Sequence, residues 1–539
     1  MEYIDLSNAR EIYYGGVAVS QVYIGNKLVY PSYFTIESIS SGNTISLTYV
    51  NGLDDTTGYP SQIEADIWVD NAVSASTVVI PMNVTTTLAT LDDGHKMRVY
   101  IHNHNLQNSF DDNVYINFGS TEEFKAYGTI SSLLEDNKTS SRWVGLFRES
   151  KVADISNLVL PNDVKSNDYR TFCYMCDSLT TAPKLPATTL AANCYSFMFN
   201  GCTSLTTAPE LPATTLAVNC YYGMFINCTS LTAAPDLPAT TLNNTCYTYM
   251  FSGCTSLTTV PVDLLPATTL VSDCYGYMFS DCTSLTNVPN LPATTLAERC
   301  YNRMFYGCTS LTTVPSDLLP ATTLTKSCYS YMFHSCYKLQ NVPELPATTL
   351  AETCYNQMFN SCRSLTTLPL DLLPATHVPA QAYNTMFYAC YNLVNTPDLP
   401  ITSLSGNYCC YRMFQSCTKL TRAPHILPAT SLSTNCYNAM FKGTAIVIAP
   451  VLPAITLATG CYQDMFRDCK SIRWIKALFT TTPSNSYTSN WLTAARNDAD
   501  CTFVKNENAT WTTTGNNAVP SNWVVQTCAA DDYSYPTNI

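Results

Sequence analysis

Apolar residues in the middle of the chain recur with a period of about 27 residues. The element Cys-Tyr-x-x-Met-Phe-x-x-Cys first appears in full at Cys194, and proline- and threonine-rich runs such as SLTTAPELPATTL (204–216) separate its copies. Self-similarity at this period predicts a solenoid, because no single turn can bury its own apolar face and stacked neighbours supply the core. Full copies start at Cys194, Cys220, Cys246, Cys274, Cys300, Cys328 and Cys354, and weaker ones at Ala382, Cys409, Cys436 and Cys461.

Within each copy the spacing of apolar residues predicts a short helix. Cys194, Met198 and Cys202 lie at i, i+4 and i+8, and an aromatic residue follows each of the first two. This spacing gives a stripe on one helix face that packs on a core. Asn193 is positioned to cap the helix and Gly201 to end it. The sequence therefore predicts an α+β solenoid.

The remainder of each turn is predicted to be extended. SLTTA at 204–208 is a short β-like run, which the following prolines stop. A leucine then recurs before each new copy, and we expect these leucines to form a buried ladder; its first members are Leu190, Leu216 and Leu242.

Alternating apolar and polar residues mark the N-terminal part of the chain. Residues 1–32 contain such runs around a Gly25-Asn26 turn and predict a β-hairpin. Residues 33–118 hold six strand-like runs separated by turn signals, which predict a small antiparallel β-sandwich-like domain. Residues 119–145 are interpreted as a linker or N-terminal cap. The C-terminal tail that follows Cys528 is predicted to be loose.

Composition narrows the class of protein. Charged residues make up 12% of the 539 residues, about half the roughly 25% of typical globular domains, and 46% are hydrophobic. The hydrophobic content excludes wholesale disorder. Lys+Arg 27 against Asp+Glu 40 gives a net charge of −13, which argues against nucleic-acid binding. No apolar run approaches the ~18–20 residues of a membrane span. The first residues, MEYIDLSNAREIYY, lack the pattern of a secretory signal.

The 25 cysteines follow the repeat, since all except Cys501 and Cys528 lie in the array. Cysteine packs as a small hydrophobe, so buried thiols are the favoured interpretation. Some disulfides between turns remain an alternative. Zinc is disfavoured, because the eight-residue spacing lacks the close Cys-x-x-Cys pairs of zinc sites.

Catalytic motifs are not found in the sequence. It has no Gly-x-Ser-x-Gly, P-loop or His-Glu-x-x-His pattern. His102 and His104 would share one strand face near Asp111 and Asp112. A plain polar surface is the favoured interpretation, and a metal pair is the alternative. We therefore expect a protein that is not an enzyme and that carries no metal and no cofactor.

Comparison of the copies with one another separates fixed from variable positions. The Cys, Met, Phe and Leu positions barely change, whereas the two positions between Tyr and Met, and the position after Phe, vary freely. Their Tyr, Asn, Ser and Gly residues are typical of binding surfaces, although a solvated polar face is the alternative. The predicted binding surface, called here the polar-aromatic strip, comprises Phe197, Tyr222, Tyr249, Tyr277, Arg303, Tyr306, Tyr331, His334, Gln357 and Tyr388.

The repeat carries a family resemblance. CTSLTTAPELPATTL (202–216), together with the CYxxMF element, resembles the BspA-like leucine-rich repeats of Bacteroidota surface proteins and of phages that infect gut Bacteroidota. The resemblance covers residues 146–480 and implies a right-handed leucine-rich-repeat array. Residues 481–539 resemble the C-terminal cap and tail of such arrays. YIGNKLVYP (23–31) resembles an N-terminal element of phage virion proteins.

These resemblances imply a function. We expect a non-enzymatic tail or fibre component of a tailed phage of Bacteroidota, such as a crAss-like phage, that presents the solenoid for host attachment. The expected partners are other virion proteins, through residues 1–32, and a host-surface glycan or protein. A homo-oligomer on the particle is expected. Binding to nucleic acid and insertion into a membrane are not expected. The expected location is the virion, assembled in the host cytoplasm, where cysteines stay reduced. A bacterial BspA-like surface adhesin and a purely structural virion protein are the alternatives.

Overall fold

The chain comprises two compact units, Met1–Pro238 and Ala239–Ile539. None of its described residues forms a helix long and apolar enough to cross a membrane. The computed structural model describes residues 12–14, 17–19, 22–24, 27–30, 33–51, 60–70, 72, 74–102, 114–133 and 143–536.

The first unit begins with two short antiparallel strand pairs. Strand β1 (Ile12–Tyr14) pairs with β2 (Val17–Val19), and β3 (Val22–Ile24) pairs with β4 (Lys27–Tyr30). Only two residues separate β3 from β4, a spacing that is typical of β-hairpins.

Two sheets follow in the first unit. One has the strand order β13-β12-β5-β10-β7-β8, with β14 also paired to β12, and the other has the order β11-β6-β9. Phe34 and Phe118 stack at 5.3 Å and are both buried, so residues next to or within the two sheets share a core. The strands are β5 Thr35–Ser38, β6 Asn43–Asn51, β7 Gln62–Val69, β8 Ser76–Pro81, β9 Thr85–Leu91, β10 Lys96–His102, β11 Val114–Ser120, β12 Phe124–Thr129, β13 Val152–Asp154 and β14 Leu158–Val159.

Residues 119–145, expected to be a linker or cap, contribute a strand to the larger sheet. Strand β12 pairs antiparallel with β5 and parallel with β13 and β14, and a 3₁₀ turn, Ile130–Leu133, follows it. Phe147 lies 6.1 Å from Phe124 and 5.3 Å from Phe172 between ring centroids, so the sheet packs directly on the first repeats. This contact covers the apolar end that an open array would expose.

The repeats contain no α-helix among their described residues, so the α+β prediction is wrong. Each Cys-Tyr-x-x-Met-Phe-x-x-Cys element is a ribbon of consecutive turns in which backbone N–H groups alternate between two kinds of acceptor. The Met198 N–H donates to Tyr195 O, three residues back, at 3.2 Å. The next N–H, that of Phe199, donates to Met224 O in the following repeat at 2.9 Å. Half of the hydrogen bonds therefore link neighbouring turns.

Left-handed residues explain why the ribbon is not a helix. Asn193, Phe197 and Gly201 have φ values of 57°, 55° and 77°, one every four residues, and the later repeats keep this pattern. A helix turns by about 100° per residue, so over four residues it drifts by about 40° from the starting direction. The ribbon fits a repeat of four residues, which the i, i+4, i+8 spacing matches equally well. Asn193 and Gly201 are left-handed positions in the ribbon rather than helix caps.

Parallel stacking in the rest of each repeat is sparse. The predicted strand run 204–208 forms no strand. The N–H and the hydroxyl of Thr232 both donate to Thr206 O, at 3.3 and 3.4 Å, and join the run to the next turn. Isolated parallel bridges, such as Thr189↔Thr215, mark the second side of the turn. Longer pairing is seen where β15 (His377–Val378) meets β16 (Ser403–Leu404).

The core of the second unit consists of side-chain ladders. Phe279, Phe305 and Phe333 stack with centroids 5.7 and 5.6 Å apart, and Tyr275, Tyr301 and Tyr329 form a parallel ladder beside them. In the predicted leucine ladder, Leu216 in the first unit and Leu242 in the second are buried, and Leu190 is half-buried.

The cysteines are free thiols, and all are buried except Cys528, as the favoured interpretation expects. The second cysteine of each element also hydrogen-bonds: the Cys308 thiol donates to Phe279 O, in the preceding turn, at 3.2 Å. In the one element where threonine takes this place, the Thr444 hydroxyl donates to Phe441 O at 2.8 Å. Cysteine at this position is thus both a small core residue and a donor.

The C-terminal end of the second unit is closed by a small parallel sheet and by its own tail. The sheet has β17 (Trp474–Ala477), β18 (Thr502–Asn506) and β19 (Val524–Cys528) in chain order. The buried ammonium of Lys476 lies 3.0 Å from an Asp532 carboxylate oxygen and donates to Ser534 Oγ at 2.9 Å. Hydrogen bonds from Ser534, followed by those from Lys476, lower the pKa of Asp532 to about 2.

Aromatic packing holds the same tail at Tyr535, so its described part, up to Pro536, is not loose as predicted. The Tyr535 ring lies 4.7 Å from the His425 ring and 5.7 Å from the Trp474 ring. A cavity of about 520 Å³ remains at this contact, lined by Thr421, Arg422, Ala423, His425, Val447, Ile448, Tyr535 and Pro536.

Candidate functional site

Five residues of the polar-aromatic strip lie in successive turns of the second unit and contact each other in order. The rings of Tyr249 and Tyr277 stack at 4.3 Å. The Arg303 guanidinium lies 5.2 Å from the Tyr277 centroid and 4.4 Å from that of Tyr331. Gln357 Nε2 then donates to the Tyr331 hydroxyl at 2.8 Å. The structure therefore joins these five positions into one column.

The backbone sets the direction of this column. Each of the five residues has φ between 55° and 60° and occupies the middle left-handed position of its ribbon. The Tyr and Met residues on either side of the variable pair are buried, whereas these five side chains are half-buried. A bulky residue at positive φ is uncommon and costs of order 1 kcal/mol or more, which inter-turn hydrogen bonds offset here.

A second column, formed by the positions after Phe, lies against the first. Tyr306 and His334 stack at 4.8 Å. The Arg303 guanidinium also lies 5.7 Å from the Tyr306 centroid, and Tyr331 and His334 are 5.7 Å apart. The two columns thus form one connected surface over Tyr249–Gln357.

Burial and charge both act on His334. Its burial, and then the nearby Arg303 charge, lower the pKa of His334 to about 4. The imidazole is therefore neutral at pH 7, and its Nδ1 lies 2.9 Å from Ser335 Oγ. A neutral ring adds stacking surface without adding a second charge beside Arg303.

Arg303 is the chemically distinctive group of the strip. Its guanidinium contacts three tyrosine rings, yet within residues 143–536 it makes no ion pair and no hydrogen bond to a protein acceptor. A guanidinium has five N–H donors in a planar fork, which suits hydroxyl, carbonyl or carboxylate oxygens. Ring surfaces around such a fork suit a sugar or a polar peptide segment.

The first unit holds the two remaining N-terminal members of the strip. Phe197 and Tyr222 meet edge to face at 5.1 Å. The Phe197 ring lies over Gly223, where an added Cβ would come within 2.8 Å of that ring, so glycine is required at this left-handed position. A hollow of about 170 Å³ beside them is lined by Arg170, Asn193, Ser196, Phe197, Asn219 and Tyr222.

Not every variable position belongs to the surface. The first member of the variable pair is buried in several turns, as with Ser196, Thr248 and Ser330. Tyr388, the last predicted strip residue, is half-buried, and its carbonyl accepts the Ser361 N–H at 2.8 Å. Its ring makes no contact with another strip side chain in the described part of the array.

The histidine pair weighed as a metal site is only partly described. His102 Nε2 lies 2.6 Å from Asp66 Oδ2 on the neighbouring strand. His104, Asp111 and Asp112 lie outside the described residues. Across the residues that the structure does describe, no three or more His, Cys, Asp or Glu side chains are grouped to hold a metal ion.

One further cluster is missed when only the Cys-Tyr-x-x-Met-Phe element is compared. Tyr337, Arg363 and Tyr391 each follow the second cysteine of their turns, and six other turns have threonine at this position. The Arg363 guanidinium lies 4.4 Å from the Tyr337 centroid and 5.7 Å from that of Tyr391. Variation at this position is the signal that identifies the cluster.

The repeat region matches a known family. Six copies of the BspA type leucine rich repeat region match residues 146–286 and 273–421, a little over half of the chain. The chain belongs to the BspA-type leucine-rich repeat family. Leucine-rich repeats are generally non-enzymatic binding or scaffold domains, and BspA-type repeats suggest a surface or adhesion-type protein. No curated protein matches the sequence.

Proposed function

We propose that this BspA-type protein is a non-enzymatic attachment protein whose polar-aromatic strip binds a glycan or protein on a bacterial host surface. The observation that supports this most strongly is Arg303. It is held between Tyr277, Tyr306 and Tyr331 with its donors unused, whereas the fixed tyrosine that follows the first cysteine, such as Tyr275 or Tyr329, is buried in the core. Tyrosine and arginine are the residues that most often dominate binding energy.

We further propose that the protein is a tail or fibre component of a bacteriophage virion. Residues 1–32 would contact other virion proteins, and the paired strands β1–β2 and β3–β4 fit a compact docking element. Assembly in the host cytoplasm agrees with cysteines that are all free. The particle would carry several copies of the protein.

A bacterial surface adhesin is the second candidate, and family membership favours it, because BspA-type repeats suggest surface or adhesion proteins. A purely structural virion protein is the third. Immunogold labelling separates the candidates: label on phage particles supports the virion role, label on the envelope of uninfected cells supports the adhesin, and virion label without cell binding supports the structural role.

Binding is tested with the full-length protein on Bacteroidota cells and on a glycan array. Tyr277→Ala and Arg303→Gln are each expected to weaken binding at least about tenfold, because they remove a ring or a charged donor from the centre of the strip. Thr313→Ala, at an exposed position of the same unit, is the matched control and should leave binding unchanged.

If Tyr277→Ala and Arg303→Gln bind as tightly as the control Thr313→Ala, the proposed role of the strip is contradicted. Melting temperatures measured on the same samples show whether a loss of binding reflects a loss of folding, and we expect shifts of no more than a few degrees.

A further inference from the structure

The position after the second cysteine forms a separate surface in the second unit. Tyr337 and Tyr391 are 37% and 40% exposed, and the exposed Arg363 lies between their rings. Their turns are consecutive, so the three side chains follow the stacking direction. This surface is distinct in position from the polar-aromatic strip.

Two lysines extend the surface along the same corner. Lys338 and Lys419 are exposed and lie two residues after the second cysteine of their turns. Within residues 143–536, neither lysine nor Arg363 has a carboxylate partner, and none of the three side chains hydrogen-bonds to a protein acceptor. By contrast, Lys326 pairs with Glu352 at 3.1 Å. In a chain with a net charge of −13, three unpaired cations within four consecutive turns favour an anionic ligand.

The geometry of the two tyrosine rings narrows the class of ligand further. Arg363 lies over one face of the Tyr337 ring and one face of the Tyr391 ring, so neither ring has both faces open for stacking. Single-stranded nucleic acids bind by stacking bases on ring faces, so this arrangement favours them less than a polyanion that contacts the three cations. A guanidinium fork suits carboxylate and sulfate groups, whose oxygens accept two parallel hydrogen bonds.

We propose that Tyr337, Lys338, Arg363, Tyr391 and Lys419, called here the basic corner, bind the carboxylate or sulfate groups of an acidic polysaccharide. The corner spans four consecutive turns of the array, whose phenylalanine rings stack 5.6 Å apart at the Phe333–Phe359 step. A polymer with repeated charges can contact several of these turns at once, whereas a single anion contacts one.

The test uses the full-length protein and measures its affinity for polygalacturonate, dextran sulfate, neutral dextran and single-stranded DNA. The corner should bind at least one of the two acidic polysaccharides with an affinity that falls as salt rises, and should not bind neutral dextran. Arg363→Gln should weaken that binding about tenfold. Lys326→Gln makes the same change in net charge at a paired lysine and should change it less than about twofold.

Four results would overturn the proposal. The first is an equal loss of polysaccharide affinity in Arg363→Gln and Lys326→Gln, and the second is an affinity for neutral dextran as high as that for the acidic polymers. The third is a higher affinity for single-stranded DNA than for the acidic polymers. The fourth is an affinity for free galacturonate or sulfate as high as that for the polymer. Tyr277→Ala, in the strip, should leave the polysaccharide affinity unchanged, so failure of the strip and failure of the corner are distinguishable. Unchanged melting temperatures confirm that Arg363→Gln folds.

Discussion

The antiparallel sheets of residues 35–129 and the repeats of residues 143–469 satisfy their backbone hydrogen bonds in different ways. In the sheets, side chains alternate with a period of two, and every ladder bond joins neighbouring strands. In the ribbons, the pattern repeats every four residues, and N–H groups alternate between their own turn and the next. The repeats therefore depend on their neighbours for half of their ribbon bonds, and their stability is shared between adjacent turns.

The two regions also differ in core chemistry. Residues 33–133 contain no cysteine, and their core is built from residues such as Phe34, Ile36 and Leu47. The repeats bury a thiol at both ends of nearly every ribbon. A thiol can lose its proton, whereas an aliphatic side chain cannot, so the two cores must respond differently to pH.

Alkaline pH gives the largest expected effect. Burial raises the pKa of several thiols to about 12, against about 8.5 in an unfolded chain. The unfolded state then binds fewer protons, so this stabilisation is complete below about pH 8.5 and is lost as the pH rises toward 12. Each thiol contributes up to about 1.4 kcal/mol per pH unit in this window. The thiols with this value are Cys194, Cys246, Cys328, Cys390 and Cys461.

Several such thiols lose their stabilising effect over the same pH range, so the repeats should lose a large share of the stability of a typical domain. Under reducing conditions, the urea midpoint of the repeats should therefore fall steeply between pH 8 and 10. Hydrogen exchange, corrected for its intrinsic pH dependence, should show that the cysteine-free strands β5–β12 keep their protection longer. Identical midpoints at pH 8 and pH 10 would be incompatible with a core of buried thiols.

An effect on the free energy of unfolding smaller than that of alkaline pH is expected when a glycine at a left-handed position is substituted, and a still smaller one when a glycine at another ribbon position is substituted. Gly307 has φ 71°, and an added Cβ would collide with the Asp281 carboxylate, whereas a Cβ at Gly276 would come no closer than 3.4 Å, to Asp273 O. Gly307→Ala should lower the free energy of unfolding by about 1–2 kcal/mol. Gly276→Ala should change it by less than about 1 kcal/mol. Urea titration of both variants checks the four-residue ribbon, because a helix would make the two glycines equivalent.

Much of the architecture could be predicted from the sequence, because the repeat and the alternation of the N-terminal strands are periodic signals. The ribbon could not, since the spacing of Cys194, Met198 and Cys202 fits a helix and a four-residue repeat alike. Its left-handed positions are occupied by residues as different as Asn193 and Phe197, so no glycine pattern shows them. The tail depends on Lys476, more than fifty residues away from its partners, and no local pattern indicates such a contact.

The candidate site was predictable to a similar extent. Variation among the copies identifies the positions that form the two columns, because a fixed template leaves only non-core positions free to change. Variation does not show that Arg303 lies between three rings, or that Ser196 is buried. Both facts depend on the backbone conformation of the ribbon, which sets the direction of each side chain. The basic corner is identified by the same comparison among the copies, made at the position after the second cysteine.

Two tyrosines in one ribbon test the separation of core from binding surface most directly. Tyr329 is 1% exposed in the core ladder, and Tyr331, two residues later, is a half-buried strip residue in contact with Arg303. Tyr331→Ala should weaken binding to host cells at least about tenfold with a change in stability below about 1 kcal/mol. Tyr329→Ala should cost about 3–5 kcal/mol of stability, and its remaining folded fraction should bind normally. If Tyr331→Ala binds like the unaltered protein, or unfolds like Tyr329→Ala, the strip is part of the scaffold and the account is contradicted.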